Sequence, residues 1–226
     1  MDDDCIDYSD IELLTDEVLK EIGYEESIPN DEILETIHQL LTLLKREVKP
    51  RCIYLITNGW IEEMTAVHIQ NYVLNTGPTI SRLLEKSSSF AVFAATAGIE
   101  FEQITQEYKK TEDILTHYIL DVMGTTIVEK AGDYIESKLE KIFPDMLHTH
   151  RFSPGYCNWH LTEQRKIFSI LGNHPCGIAL SDVCLMSPIK SISGIIGIGK
   201  EVQTRKYACQ YCELETCYKR KKMNFR

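Results

Sequence analysis

The sequence predicts a single domain of the α plus β class, helical at the start and mixed afterwards, and three observations carry that expectation. Apolar residues recur at helical spacing in two long stretches, one ending at Pro50 and one running from Thr111 to Ile142. Between and after them lie compact apolar runs, Phe90 to Thr96 and Ser193 to Gly199, which suit strands. The chain has 226 residues, 43% of them apolar, enough to bury a real core within one domain.

Each element has a local reason. Thr15 is placed to cap a short helix over Asp16 to Ile22, and Gly23 to stop it. Asn30 caps a longer helix that carries Ile33, Ile37, Leu40, Leu41 and Leu44 on one face. Cys52 to Thr57 reads as a strand closed by Asn58-Gly59, and Phe90 to Thr96 as a buried strand, with Gly98 permitting the turn that follows. The long helix from Thr111 to Ile142 has an apolar stripe of Leu115, Tyr118, Ile119, Val122, Met123 and Ile127, and Pro144 marks its end. Beside that stripe Asp121, Thr125 and Glu129 recur every four residues, so they share a narrow polar line of the kind that can face a site or solvent. His160 to Leu171 continues as a helix, and Leu180 to Lys200 supplies strand-like runs. Gly194 to Lys200 also has the spacing of a phosphate loop, but Glu201 stands where a magnesium-binding Ser or Thr is needed, and the apolar alternation favours a strand.

Charge and cysteine content narrow the function classes. The net charge is −10, and residues 1–35 hold 14 acidic side chains against Lys20 alone. An acidic helical segment over 1–48 is thus set against a basic tail over 205–226, and an acidic chain with one short basic tail is a poor candidate for nucleic-acid binding. The apolar run Phe90 to Ile99 is far short of a membrane span, and the start Met1-Asp2-Asp3-Asp4 does not read as a signal peptide, so a cytoplasmic location is expected. Eight cysteines then read as thiols or metal ligands rather than a disulfide framework. Three of them, Cys209, Cys212 and Cys217, fall within nine residues of the tail. They are candidates for a zinc or iron-sulfur site that needs a further ligand, for a reduced structural thiol group, or for a redox pair.

The most informative stretch is Arg151-Phe152-Ser153-Pro154-Gly155-Tyr156. Arg151 offers a planar fork of donors suited to a carboxylate, Gly155 allows close approach to the backbone, and Tyr156 adds a flat face with a polar tip. The same residues also fit an ordinary Pro-Gly turn with a surface arginine. Two further blocks accompany them. Downstream lie Leu180-Ser181-Asp182-Val183-Cys184-Leu185-Met186-Ser187-Pro188 and Ser191-Ile192-Ser193-Gly194; upstream lies Leu120-Asp121-Val122-Met123-Gly124 with Glu129. In order and content the three blocks resemble the activation domain of cobalamin-dependent methionine synthase, whose S-adenosylmethionine (AdoMet) clamp reads Arg-x-x-Pro-Gly-Tyr. They cover about Phe90 to Lys200, and three ordered blocks are far more specific than one motif.

The resemblance implies an α/β domain built on a bent, mainly antiparallel sheet with flanking helices, and it is to the short, free-standing members of the family. It implies AdoMet as ligand, with Arg151 pairing its carboxylate, Glu129 taking the ribose hydroxyls or the ammonium, and the backbone at Ser153 and Gly155 with the Tyr156 ring fixing the rest. Gly124 is expected to let another backbone or the ligand come close to the helix. Ile196 occupies the position of an aromatic AdoMet contact in the full-length enzymes. The resemblance also implies that the nucleophile is cobalt of a corrinoid on the partner, which agrees with a chain whose histidines form no triad spacing. The implied role is the activation component of a methyltransferase, reductively methylating an inactive cobalamin. Its partners are then a methionine synthase or other corrinoid-dependent methyltransferase lacking an activation domain, and an electron donor protein. Two rival readings are an electron-transfer protein working through the cysteine tail and a noncatalytic adaptor for a corrinoid protein.

Overall fold

A computed structural model describes residues 2–24 and 27–204. Strand β1 (Asp2–Cys5) and a short 3-10 turn lead into helix α1 (Thr15–Glu21). The cap of α1 is Leu14, whose backbone N–H donates to the Glu17 carboxylate at 2.9 Å, so Thr15 is the first helical residue and not the cap expected of it. Helix α2 (Asp31–Glu47) starts as expected, with the Asn30 side chain accepting from the Ile33 N–H at 2.9 Å, and it buries Ile33, Ile37, Leu40 and Leu44. Strand β2 (Arg51–Glu62) runs straight through Asn58-Gly59. A Cβ on Gly59 would strike the His68 carbonyl and the Phe90 ring, so this glycine serves close packing rather than a turn. The chain reverses later, at Glu63 and Met64, into β3 (Ala66–Ile69) and β4 (Tyr72–Leu74).

Helix α3 (Gly77–Leu83), strand β5 (Ser89–Thr96) and helix α4 (Ile99–Tyr108) precede the long helix α5 (Ile114–Ile142). Asp113 sets the start of α5 by accepting from the Thr116 N–H at 2.9 Å. Strand β6 (Leu147–His148), helix α6 (Gln164–Leu171), the hairpin β7 (Ala179–Leu180) and β8 (Met186–Ser187), and strand β9 (Ser191–Gly199) complete the described chain. The expected phosphate-loop mimic is thus a strand. No helix among the described residues is long and apolar enough to cross a membrane.

The main sheet has the order β4-β3-β2-β5-β9-β6, with β1 on the free edge of β2, and every pairing is antiparallel. It is curled, with helices on both faces. The pleat divides its side chains between two cores. Tyr54, Phe93 and Ile196 pack beneath α1, α2, α4 and α5; Ile53, Val92 and Ile195 pack on the other side with Trp159, Ile167 and Phe168 of the α6 region. Burial on both faces is why β5 reads as a continuous apolar run. The bent antiparallel sheet with flanking helices is therefore what the chain forms.

Candidate functional site

Helix α5, of 29 residues, packs on the sheet, and a line of its polar residues meets two cations. Lys190, just before β9, reaches Asp121 at 2.7 Å and the Thr125 hydroxyl at 2.9 Å. Farther along, Arg151 reaches Glu129 at 3.0 Å, Asp133 at 2.8 Å and Glu136 at 3.2 Å. The expected polar line of Asp121, Thr125 and Glu129 thus exists, and Asp133 and Glu136 prolong it.

Arg151 lies against α5 because the helix has a glycine beneath it. A Cβ on Gly132 would come within 2.7 Å of the guanidinium carbon. The segment that carries Arg151 is held to the sheet edge by the Phe152 N–H, which donates to the Ile195 carbonyl at 3.0 Å, and the Ile195 N–H returns a bond to the Phe152 carbonyl at 2.9 Å. Gly194 makes that approach possible, since a Cβ there would strike the same Phe152 carbonyl. Gly124 plays a different part from the one expected. What closes over it is the Phe101 ring of α4 and the stem of Lys190, so it serves helix packing.

Arg151 is 8% exposed at its side chain, whereas Glu129 and Asp133 are 40% and 65% exposed. The result is a cradle with a buried guanidinium and two carboxylates at the rim. Burial works against the charged guanidinium, but Glu136, Asp133 and Glu129 outweigh it and hold its pKa above the ordinary value. Burial pushes the Glu136 carboxyl above its ordinary value of 4.5, against the pull of Arg151 and His148. His150 adds an imidazole 3.9 Å from Glu136, and His148 lies 3.4 Å from Glu140.

The loop that follows is closed by its own backbone. The Gly155 N–H donates to the Trp159 carbonyl at 2.7 Å, the Trp159 N–H to the Tyr156 carbonyl at 2.9 Å, and the Tyr156 N–H to the Ser153 carbonyl at 3.3 Å. Gly155 has φ +97, which a side chain tolerates poorly. Its N–H is engaged within the loop and so is not offered to a ligand. The Tyr156 ring is 63% exposed. Ile196 is fully buried in the core beneath α5 and presents nothing at the surface.

The structure therefore brings Glu129 and Arg151 into contact and sets Ser153, Gly155 and Tyr156 in the adjoining loop. Asp133 and Glu136, which the sequence reading misses, continue the spacing from Glu129 by four and then three residues, and that periodicity is the signal for them. Lys190 had no such signal; only the turn before β9 brings it to α5. Cys209, Cys212 and Cys217 lie outside the described residues. Among the described residues no group of three or more His, Cys, Asp or Glu side chains is arranged to hold a metal ion.

Fold and site together define an α plus β domain with a curled antiparallel sheet and a charged cradle between its longest helix and an edge loop. The family model for the vitamin B12 dependent methionine synthase activation domain matches residues 80–223, and the chain belongs to that family. A crystal structure of the MetH reactivation domain bound to AdoHcy has the same fold, with a TM-score of 0.62 and 16% identity over 89% of this chain and 76% of that one. No curated protein sequence matches the chain.

Proposed function

We propose that this protein binds AdoMet in the cradle of α5 and the 151–156 loop, and holds it for methyl transfer to a cobalamin carried by a partner. The observation that carries the reading is the contact of Arg151 with Glu129, Asp133 and Glu136 directly before a Pro-Gly-Tyr loop, in a chain of the activation-domain family. The charges are complementary. AdoMet carries an ammonium, a sulfonium and one carboxylate; the cradle offers three carboxylates and one guanidinium. The MetH reactivation domain of the same fold was crystallised with AdoHcy, the species that AdoMet becomes on losing its methyl group.

In this reading Arg151 exchanges a rim carboxylate for that of the ligand, and Glu129 receives the ammonium or the ribose hydroxyls. Ser153 and Gly155 supply backbone contacts, and the Tyr156 ring covers a flat part of the ligand. AdoMet supplies the methyl group, while the partner's cobalt and an electron donor protein supply its acceptor. The chain itself contributes orientation, which converts an encounter of bulky reactants into a positioned transfer.

Calorimetry with AdoMet tests the site. Removing one charged hydrogen-bond partner costs about 1.5 to 3 kcal/mol, so Arg151→Ala is expected to bind roughly ten- to a hundredfold more weakly. Glu129→Gln loses less, because the amide keeps one acceptor. Arg151→Ala leaves three carboxylates facing one another, so Tyr156→Ala, on an exposed ring, provides a second variant whose fold is not at stake. Unchanged affinity in both variants overturns the site.

A further inference from the structure

The segment that carries Arg151 has a second lined surface. His150 and Phe152, its neighbours on either side, help to enclose a cleft of about 440 Å³, completed by Arg82, Leu83 and Glu85 of the α3 region and by Gln203 after β9. That volume lies within the range of small-molecule sites. The cleft shares Phe152 with the 151–156 loop and His150 with the surroundings of Glu136, and its other walls come from α3, the turn after it and the chain just after β9.

Among the described residues, the charges in the cleft are only partly paired. Lys86 is paired with Glu201 at 3.1 Å. Arg82 and Glu85 have no hydrogen-bond or ion-pair partner for their side chains among the described residues. Arg82 lies in the last turn of α3 and Glu85 just beyond its C-cap Leu84, and both side chains are exposed. An open cation and an open anion beside apolar Phe152 and Leu83 match a ligand with both charges at one end and an apolar body.

We propose that this cleft is a second small-molecule site, one that takes a free α-amino acid with an apolar side chain. Its carboxylate meets Arg82, its ammonium meets Glu85, and its side chain packs on Phe152 and Leu83. The site is wired to the cradle through His150, which lines the cleft and stands 3.9 Å from Glu136, itself 3.2 Å from Arg151. Occupancy of the cleft is expected to reach the cradle by packing against His150 and Phe152. This coupling, unlike the cleft itself, rests on the AdoMet reading.

The test uses the full chain with L-phenylalanine as probe and two analogues, 3-phenylpropanoate without the ammonium and phenethylamine without the carboxylate. Calorimetry is expected to show saturable binding of L-phenylalanine, with each analogue weaker by about tenfold. Arg82→Gln is expected to weaken L-phenylalanine by about tenfold and to leave AdoMet titration without amino acid unchanged. Where both ligands bind, L-phenylalanine shifts AdoMet affinity, and AdoMet shifts L-phenylalanine affinity by the same factor. No saturation by about 10 mM, or equal affinity in Arg82→Gln, overturns the site, and equal binding of 3-phenylpropanoate overturns the zwitterion assignment. Binding of L-phenylalanine without any binding of AdoMet upholds the cleft and rejects the cradle reading; the reverse result rejects the cleft alone.

Discussion

Glu136 is the residue whose environment costs most at the cradle, because its carboxylate is largely removed from water while two other carboxylates compete for the same guanidinium. Its pKa is raised, so the folded protein holds this proton more tightly than the unfolded chain does. The sign follows: the group costs nothing below the ordinary value of 4.5, and stability falls as pH rises from there through the folded pKa. Arg151, His148, His150, Asp133 and Glu140 face Glu136 in the parent and in Glu136→Gln alike. Urea midpoints measured upward from pH 4.5 are therefore expected to shift progressively in favour of Glu136→Gln. A constant difference between the two proteins across that range contradicts the buried, strained carboxylate. At this scale Arg151 and Glu129 were legible from their motifs. Lys190 was not, because its partners Asp121 and Thr125 are brought to it by tertiary packing alone.

The elements were legible where one local signal dominated. Asn30 and the apolar face of α2 set that helix, and the apolar run of β5 set the central strand. Asn58-Gly59 misled because the dipeptide suits a turn, whereas here Gly59 is required by the His68 carbonyl and the Phe90 ring pressed against β2. Strands β3 and β4, of four and three residues, are too short to show a period, and α4 has its start at Gly98, where a turn and a helix entry look alike. The approach of α5 to the Arg151 segment is the element-level contact on which the cradle depends, and Gly132 governs it. Gly132→Ala is expected to gain about 1 kcal/mol of helix propensity and to lose much of it again by displacing the guanidinium. A thermal melt should therefore change little while AdoMet affinity falls by about tenfold. Parent-like AdoMet binding in this variant argues that Arg151 does not need its seat on α5.

For the whole molecule, sheet order was the part hidden from the sequence, since β9 closes against β5 across about a hundred residues and no local pattern encodes that pairing. The exposure of three aliphatic side chains in the segment before β9 is hidden in the same way until the fold is known. Val183, Leu185 and Ile189 are 69%, 63% and 68% exposed. Their loop is tied to the domain at Ile189 through Glu102 and at Lys190 through Asp121 and Thr125 of α5. On the AdoMet reading, these three exposed aliphatic side chains are the residues we expect a protein partner to cover. The acidic start of the chain adds a long-range field, so the encounter rate is expected to depend on salt, falling with it where the partner surface is basic. In an assay that mixes an oxidised cobalamin-dependent methyltransferase, a reductant, AdoMet and this protein, loss of the cobalt(II) absorbance is expected to be faster with the protein than without it. If a partner covers this loop, Ile189→Asp is expected to slow that recovery by about tenfold while leaving AdoMet binding unchanged, because it places an unpaired charge under the partner and leaves the cradle intact. If no cobalamin enzyme recovers faster in the presence of the protein, the reactivation role is wrong even where AdoMet binds.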